Sequence, residues 1–243
     1  MFKNKFNRKK TNENDFVGTV SHELKTPLTS LNCILQVAEL KLKNHPDTFL
    51  ADSMGKAINQ VNKMQKMITG FLNLSKFESG KVCLEKTEFC MNELITSIIE
   101  ESLLAASRRI FLHQRNDIVV FADRDKIESV MVNLLTNALK YSPNGKEIHV
   151  NIERSASEVV VNITDQGFGI GEQDLRNVFE RYYRVESIDT KHISGFGIGL
   201  YLSAKIVKLH SGKIWAESTL GEGSTFSFAL PLHERSDNGI LRF

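Results

Sequence analysis

Apolar residues recur every three or four positions along the first third of the chain. In Asn14 to Lys43 they are Phe16, Val20, Leu24, Leu28, Leu31, Leu35, Ala38 and Leu42. In Phe49 to Phe77 they are Leu50, Met54, Ala57, Val61, Met64, Ile68, Phe71 and Leu74. This spacing predicts two amphipathic helices, each of about 30 residues and roughly 45 Å long.

The stretch Asn44-His45-Pro46-Asp47 separates the two patterns and is typical of a turn. The helices should therefore form an antiparallel hairpin. Because two isolated helices bury little apolar surface, we expect two hairpins to dimerise into a four-helix bundle. Glu78-Ser79-Gly80 should end the hairpin.

After Gly80 the pattern mixes strand and helix periods. The predicted elements are a strand at Val82–Phe89, a helix at Met91–Ala106, strands at Ile110–Gln114 and Ile118–Ala122, a helix at Arg124–Tyr141, strands at Ile148–Ile152 and Val159–Thr164, a helix ending near His210, and strands at Lys213–Ser218 and Ser224–Pro231. This mixture predicts an α/β sandwich with helices on one face of a sheet. The predicted domains are a basic extension (1–13), the hairpin (14–79), the α/β domain (80–232) and a fraying tail (233–243).

Composition narrows the functional classes. The 243 residues are 41% hydrophobic and 25% charged, with a net charge of +2, which is typical of a soluble globular protein and gives no argument for nucleic acid as a partner. No apolar run approaches the roughly 20 residues that cross a bilayer. The three cysteines form no CxxC pair, which favours structural thiols in a reducing, cytoplasmic setting.

Five lysines or arginines lie within the first ten residues. They are either a solvated end or the cytoplasmic flank of a membrane helix that is absent from this chain. In the second case the full-length protein would be anchored in the inner membrane.

His22 lies about 200° around its helix from the seam residues Val20 and Leu24, so we expect it to face solvent. Pro27 lacks an N–H group and clashes with the carbonyl four residues back, which disturbs the turn after His22. The seam continues beyond Pro27, which favours a kink over a helix end. An imidazole is a nucleophile near neutral pH, and Glu23 could take its proton.

Three later stretches suggest a phosphate ligand. Asn133 and Asn137 are spaced i, i+4 on a predicted helix, so two amide oxygens share one face and could bind Mg²⁺, with Lys140 one turn on to meet phosphate. The stretch from Asp165 to Gly171 has glycines at every second position after a strand, and its carboxylate could accept a hydrogen bond from an exocyclic amine such as that of adenine.

The third stretch, Gly195-Phe-Gly197-Ile-Gly199-Leu200, leads into a helix whose free N–H groups favour phosphate. These glycine patterns fit neither the Rossmann nor the Walker sequence, and no HRD or DFG is present. Between them, Arg181 and Arg184 could fold over an anionic ligand as part of a lid.

Taken together and in order, SHELKTPL, NLLTNALKYSP, DQGFGI, FERYYR and GFGIGL resemble the catalytic core of two-component sensor histidine kinases over about Asn14 to Pro231. The resemblance implies a dimerising hairpin that bears the phosphorylated histidine, followed by an ATP-binding α/β sandwich of the Bergerat type. It also implies ATP and Mg²⁺ as cofactors and a response regulator receiver domain as partner.

Carried over by position, the resemblance implies that His22 accepts the phosphoryl group, that Glu23 activates it and that Thr26 serves dephosphorylation of the response regulator. The nucleotide-binding positions implied are Asn133, Asn137 (the Mg²⁺ ligand), Lys140, Tyr141, Asp165 (the adenine contact), Gly167, Gly169, Arg184, Gly195, Gly197, Gly199 and Leu200. Ile198 and Phe168 depart from the residues common in the family, and we expect neither to prevent nucleotide binding.

Other functions share parts of this pattern. An ATPase or chaperone-like module could have the same nucleotide-binding fold, but it would lack the hairpin with HELKTP. A scaffold without catalysis could bind a receiver domain, and a protein acting mainly as a phosphatase is a further alternative.

Overall fold

A computed structural model describes residue 26 and residues 28–42, 48–79, 82–102, 109–113, 116–142, 146–185 and 196–232. The chain divides into two compact units, Met1–Val82 and Cys83–Phe243. His22, Glu23, Pro27, the predicted turn at 44–47 and the tail 233–243 lie outside the described residues.

The first unit is a helical hairpin. Residues 28–42 lie in helix α1, and α2 spans Thr48–Glu78. Nδ2 of Asn32 donates to Oδ1 of Asn62 at 3.0 Å, whereas a Cβ on Gly55 would lie 3.9 Å from Oε1 of Glu39. Later residues of α1 therefore face earlier residues of α2, as the predicted antiparallel arrangement requires. The helix α2 ends at Glu78, beside the predicted stop.

Only part of the predicted seam is covered within one chain. Leu28, Val61 and Leu74 are buried, at 8%, 5% and 2% exposure. Large apolar side chains on both helices nevertheless remain exposed: Leu31, Ile34, Val37 and Leu40 on α1, and Phe49, Leu50, Met64, Met67 and Phe71 on α2. A single hairpin thus leaves much apolar surface in water, since two helices have too few partners to cover every face.

The second unit alternates strands and helices. Its elements are β1 (Thr87–Cys90), α3 (Met91–Ser102), β2 (Ile110–His113), β3 (Val119–Ala122), α4 (Arg124–Tyr141), β4 (Ile148–Arg154), β5 (Glu158–Asp165), α5 (Glu172–Leu175), α6 (Gly199–Leu209), β6 (Lys213–Thr219) and β7 (Gly223–Pro231). Strands β1 and β3 form an antiparallel pair, and the other five form a sheet in the order β2-β4-β5-β7-β6. Within it β2 and β4 are parallel, and the remaining neighbours are antiparallel.

The core lies between this sheet and the helices α4 and α6. Alternate residues of β5 are buried, namely Val159, Val161, Ile163 and Asp165, because successive side chains of a strand point to opposite faces. The helix α4 contributes Ile127, Val130, Met131, Leu134, Leu135 and Ala138 to the same core. An α/β sandwich follows the hairpin, as the sequence predicts.

Two local predictions are wrong. The strand predicted at Val82–Phe89 is confined to Thr87–Cys90, because its partner β3 has only four residues with which to pair. The short helix α5 was not predicted, since four residues are too few to show a helical period. Within the described ranges, no helix combines the length and apolarity of a membrane span.

Candidate active site

A cavity of about 250 Å³ opens in the second unit, near the lower end of the range of about 300–1,000 Å³ typical of ligand pockets. Its walls come from α4, the end of β5, the segment after β5, the start of α6, and β7. The lining residues are Asn133, Asn137, Lys140, Tyr141, Asp165, Phe168, Gly169, Ile170, Val178, Tyr183, Arg184, Val185, Phe196, Gly197, Gly199, Leu200, Ser224 and Phe226. Apolar groups thus share the cavity with a carboxylate, two amides and two cationic side chains.

The two asparagines of α4 have different surroundings. Nδ2 of Asn133 donates to Oγ of Ser203 at 3.0 Å, so this side chain connects α4 to α6. One turn on, Asn137 also lines the cavity, and its amide has no hydrogen-bond partner among the described residues. Oδ1 of Asn133 lies against the backbone of Gly199, whereas the amide of Asn137 is not held in this way and can offer its oxygen to a metal ion.

Asp165 is the last residue of β5 and lies at the centre of the sheet, paired with Ile148 of β4 and Ser224 of β7. Strand alternation turns its side chain toward the helices, where it is 4% exposed. Its Oδ1 accepts a hydrogen bond from the N–H of Gly167 at 2.7 Å. Burial raises the pKa of Asp165, and the N–H groups of Gly167 and Ser224 oppose that rise. A carboxyl group in this position favours a ligand that donates a hydrogen bond to it.

The first aromatic residue of the cavity, Tyr141, ends α4. Burial raises its pKa, and the charge of Arg184 opposes that rise. Nζ of Lys140 lies 5.2 Å from the centre of the Tyr141 ring. Two cations thus lie beside this ring, at a wall of the cavity where an anionic group of a ligand would be stabilised.

The arginine-containing segment is held against the last glycine stretch. The N–H of Tyr182 donates to the carbonyl of Gly197 at 2.8 Å. Gly197 has φ +66°, and a Cβ there would lie 2.6 Å from the carbonyl oxygen of Tyr183, so a side chain would disturb this contact. The hydroxyl of Tyr183 donates to Oδ1 of Asp174 at 2.5 Å, and this bond raises the pKa of Tyr183. These contacts position the segment that carries Arg184 at the cavity wall.

Ten of the twelve predicted nucleotide-binding residues line this one cavity: Asn133, Asn137, Lys140, Tyr141, Asp165, Gly169, Arg184, Gly197, Gly199 and Leu200. Gly167 lies behind the wall, where a Cβ would be 2.5 Å from the carbonyl oxygen of Tyr141. Gly195 lies outside the described residues. Thr26 is exposed on the hairpin, in the other unit.

Several lining residues were not predicted: Phe168, Ile170, Val178, Tyr183, Val185, Phe196, Ser224 and Phe226. Most are apolar and look like ordinary core residues in the sequence. Ser224 had no signal in the sequence, because only the pairing of β7 with β5 places it opposite Asp165. Among the described residues, no group of three or more His, Cys, Asp or Glu side chains could hold a metal ion.

Two family models match the chain. Residues 12–80 match the His Kinase A (phospho-acceptor) domain, and residues 122–234 match the Histidine kinase-, DNA gyrase B-, and HSP90-like ATPase. Sensor histidine kinase WalK of Bacillus subtilis is 33% identical over 232 residues, which cover 92% of this chain and 37% of that protein. Adaptive-response sensory kinase SasA of Crocosphaera subtropica is 32% identical over 88% of this chain and 58% of its own length. The chain thus spans less than two thirds of the length of each of these relatives.

Solved structures agree in fold. The catalytic domain of histidine kinase ThkA is 29% identical, with a TM-score of 0.53, over 61% of this chain and 96% of that domain. Full-length ShkA in complex with AMPPNP has a TM-score of 0.69 at 18% identity, over 90% of this chain and 46% of ShkA. ThkA in complex with response regulator protein TrrA has a TM-score of 0.62 at 24% identity, over 96% of this chain and 66% of that one.

The two domain matches occur in the order, and at the places, that the hairpin and the sandwich occupy. The two curated relatives, which align with about nine tenths of this chain, are named as a sensor histidine kinase and a sensory kinase. This chain therefore belongs to the two-component sensor histidine kinases and contains their catalytic core, a phospho-acceptor hairpin followed by an ATPase domain.

Proposed function

We propose that the chain autophosphorylates His22 from ATP and passes the phosphoryl group to an aspartate of a response regulator. The observation that carries this proposal is the convergence of Asn137, Asp165 and Arg184 on one cavity, in a chain that also contains a phospho-acceptor hairpin. The proposed domains are the hairpin at 14–79 and the ATP-binding domain at 80–232. The family matches at 12–80 and 122–234 and the division after Val82 support them.

The surroundings of Asp165 suit adenine. Its carboxylate would accept a hydrogen bond from the exocyclic amine, and Ile170 and Phe226 supply apolar surface for the base. At the polar wall, Lys140 and Arg184 would stabilise the phosphates. The AMPPNP that ShkA binds supports a nucleotide of this class.

Asn137 fits the role of an Mg²⁺ ligand, because Mg²⁺ prefers oxygen donors and keeps several waters, so one amide oxygen from the chain suffices. The ion would supply positive charge at the phosphates. Asn133 would assist by keeping α4 beside α6 through its bond to Ser203.

In the transfer, a ring nitrogen of His22 attacks the γ-phosphorus in line. The new P–N bond forms as the bond from phosphorus to the β–γ bridging oxygen breaks, and ADP leaves. Glu23 takes the ring proton or fixes the tautomer. In the second reaction the P–N bond breaks and an aspartate oxygen of the response regulator receives the phosphoryl group. The complex of ThkA with TrrA supports such a partner.

We also propose a homodimer. The apolar side chains left exposed on α1 and α2 form stripes, for example Met64, Met67 and Phe71 at i, i+3 and i+7. A second hairpin would cover these stripes in a four-helix bundle. Because ATP and receiver domains are met in the cytoplasm, we place the activity there, with any membrane anchor in a segment outside this chain.

Radiolabelled ATP tests the kinase. The purified chain should acquire an acid-labile, base-stable label, because phosphohistidine has that stability. The label should vanish in His22→Gln and persist in His45→Gln, a matched change in the stretch 44–47 that the sequence predicts as a turn. Label that survives His22→Gln would refute the assignment, and ATP hydrolysis without phosphoprotein would support an ATPase module instead.

A phosphatase activity has a separate basis. Thr26 is exposed on the hairpin. His22 precedes it by four residues in the sequence, so the two positions would share one face of the predicted helix. We propose that Thr26 serves dephosphorylation of the response regulator. Thr26→Ala should slow loss of phosphate from the partner and leave labelling of His22 intact. Equal loss with both chains would exclude the role.

A further inference from the structure

Asp123 joins three separate segments of the ATPase domain. Its Oδ1 accepts from the N–H of Lys126 at 3.1 Å and so caps α4. Its Oδ2 accepts from the N–H of Glu85 at 3.0 Å. Its own N–H donates to Nε2 of His210 at 3.0 Å. With 5% exposure, this carboxylate depends on the N–H groups of Lys126 and Glu85, because water does not replace a donor that is lost.

His210 follows the last residue of α6 and is 3% exposed. Its Nδ1 lies 2.9 Å from the carbonyl of Ile206, which can only accept, so Nδ1 carries the hydrogen. Nε2 is then the bare nitrogen that accepts from Asp123. Only the neutral ring in this tautomer satisfies both bonds, and it fixes the end of α6 to the start of α4.

The helices α4 and α6 also form part of the cavity wall, at positions away from Asp123 and His210. Asn133, Asn137 and Lys140 lie ten or more residues further along α4, at least about 15 Å from Asp123. Gly199 and Leu200 open α6 at the cavity. The helices are therefore connected twice, by Asp123 with His210 far from the cavity and by Asn133 with Ser203 beside it.

Glu85 belongs to the segment that leaves the hairpin and precedes β1. The donor is the backbone N–H of Glu85, and the side chain of Glu85 is exposed. The bond therefore depends on the position of the backbone and not on the type of side chain at this residue. Glu85 lies outside the β1–β3 ladder, which begins at Thr87. Moving this segment would remove the partner of a buried oxygen without breaking the sheet.

We propose that Asp123 and His210 are positioning residues that couple the interdomain segment at Glu85 to the nucleotide cavity. With the segment bound, Asp123 caps α4 and keeps it in register with α6. With the segment withdrawn, Asp123 loses a donor, and the cavity residues carried by the two helices shift. This proposal rests on nucleotide binding at the cavity.

Paired variants of the full chain distinguish loss of the hydrogen bond from Glu85 to Asp123 from loss of the Glu85 side chain. Glu85→Pro removes the N–H, whereas Glu85→Ala keeps it, and Cys83→Pro controls for a proline in this segment. Calorimetric titration with ADP should show an affinity about tenfold weaker in Glu85→Pro and unchanged affinity in the two controls. His210→Phe should weaken ADP to a similar extent, and His210→Gln, whose Oε1 can accept from Asp123, should restore most of it.

The double variant Glu85→Pro with His210→Phe should lose less affinity than the sum of the single losses, since both act through Asp123. A purely structural role predicts lower thermal stability with unchanged ADP affinity, and that result would overturn the proposal.

Hydrogen exchange measured on the unaltered chain tests the same coupling without relying on a variant that folds. Because coupling is reciprocal, saturating ADP should slow exchange at the N–H groups of Glu85 and Asp123. Identical exchange with and without ADP would overturn the coupling alone. Failure of the unaltered chain to bind ADP would instead overturn the proposed function, and this proposal with it.

Discussion

The side chain of Asn133 lies directly against the backbone of Gly199, so closely that a Cβ on Gly199 would overlap Oδ1 of Asn133. The same asparagine donates to Ser203 one turn further along α6. The glycine at the start of α6 therefore serves close packing of two helices, in addition to any contact with a ligand. Its backbone can approach α4 only because it has no side chain.

Gly199→Ala should separate the two helices at the cavity. We expect a loss of about 1–3 kcal/mol in the free energy of unfolding, as for other overpacked sites, and a weaker ADP affinity. Thermal unfolding and calorimetric titration measure the two effects. Gly171→Ala is the matched control, since the nearest atom to its added Cβ would be Oδ2 of Asp174 at 3.7 Å, and its effect should be much smaller. Wild-type ADP affinity in Gly199→Ala would contradict this account.

Asp165→Asn should lower ADP affinity by about 10-fold to 100-fold while leaving the domain folded. The amide oxygen would accept from Gly167, and the NH₂ group would then oppose the adenine amine. Since burial raises the pKa of Asp165, the ionised group is unfavourable in the folded state, and its removal should not lower stability at neutral pH.

Calorimetric titration with ADP and GDP measures this change in affinity. The NH₂ group that Asp165→Asn introduces can donate to the guanine carbonyl, so the preference for ADP over GDP should become smaller. Asp125→Asn, on the exposed first turn of α4, is the control. An unchanged preference in Asp165→Asn would show that Asp165 does not contact the base.

The stability of the ATPase domain should fall on acidification through the titration of His210. Burial lowers the pKa of His210, Lys86 and Lys126 add to that effect, and the Ile206 carbonyl and Asp123 oppose it. The unfolded state thus binds this proton at a higher pH than the folded state. Its contribution is full above the unfolded pKa of about 6.5 and is lost as the pH falls toward the lower, folded pKa.

Thermal unfolding of the chain and of His210→Gln between about pH 5 and pH 8 measures the effect, because other titrating groups cancel in the difference. The two curves should diverge below about pH 6.5, with the smaller acid loss in His210→Gln. If the two curves of stability against pH run parallel, the pKa of His210 is the same in the folded and the unfolded state.

Ile34→Lys should convert the dimer to a monomer. Ile34 is 65% exposed in the single chain, so lysine is tolerated there, but a second hairpin packed on this stripe would have to bury the charge. Light scattering after size-exclusion chromatography reports the mass directly. Gln36→Lys, on an exposed position two residues along α1, should stay dimeric. Dimers of Ile34→Lys would place the interface elsewhere.

Much of the fold could be predicted because its signals are local. The helix α4 was predicted at Arg124–Tyr141 and is observed with those bounds, since it has an apolar stripe at helical spacing and Asp123 supplies its cap. Strands β4 to β7 differ from their predictions by at most two residues at either end, because alternation fixes which side chains face the helices. Three glycines of the predicted stretches, Gly169, Gly197 and Gly199, line the cavity, and their role toward a ligand stays a prediction.

What only the tertiary structure decided concerns residues far apart in the chain. The spacing made Asn133 and Asn137 equivalent. Both line the cavity, but packing against α6 bonds only Asn133 to Ser203. The apolar wall from Phe226 and the connection from Glu85 through Asp123 to His210 were invisible in the sequence. Periodicity records how a residue relates to its neighbours within a few turns. Partners tens of residues away are chosen only when the sheet order brings the segments together, because many pairings satisfy the same local pattern.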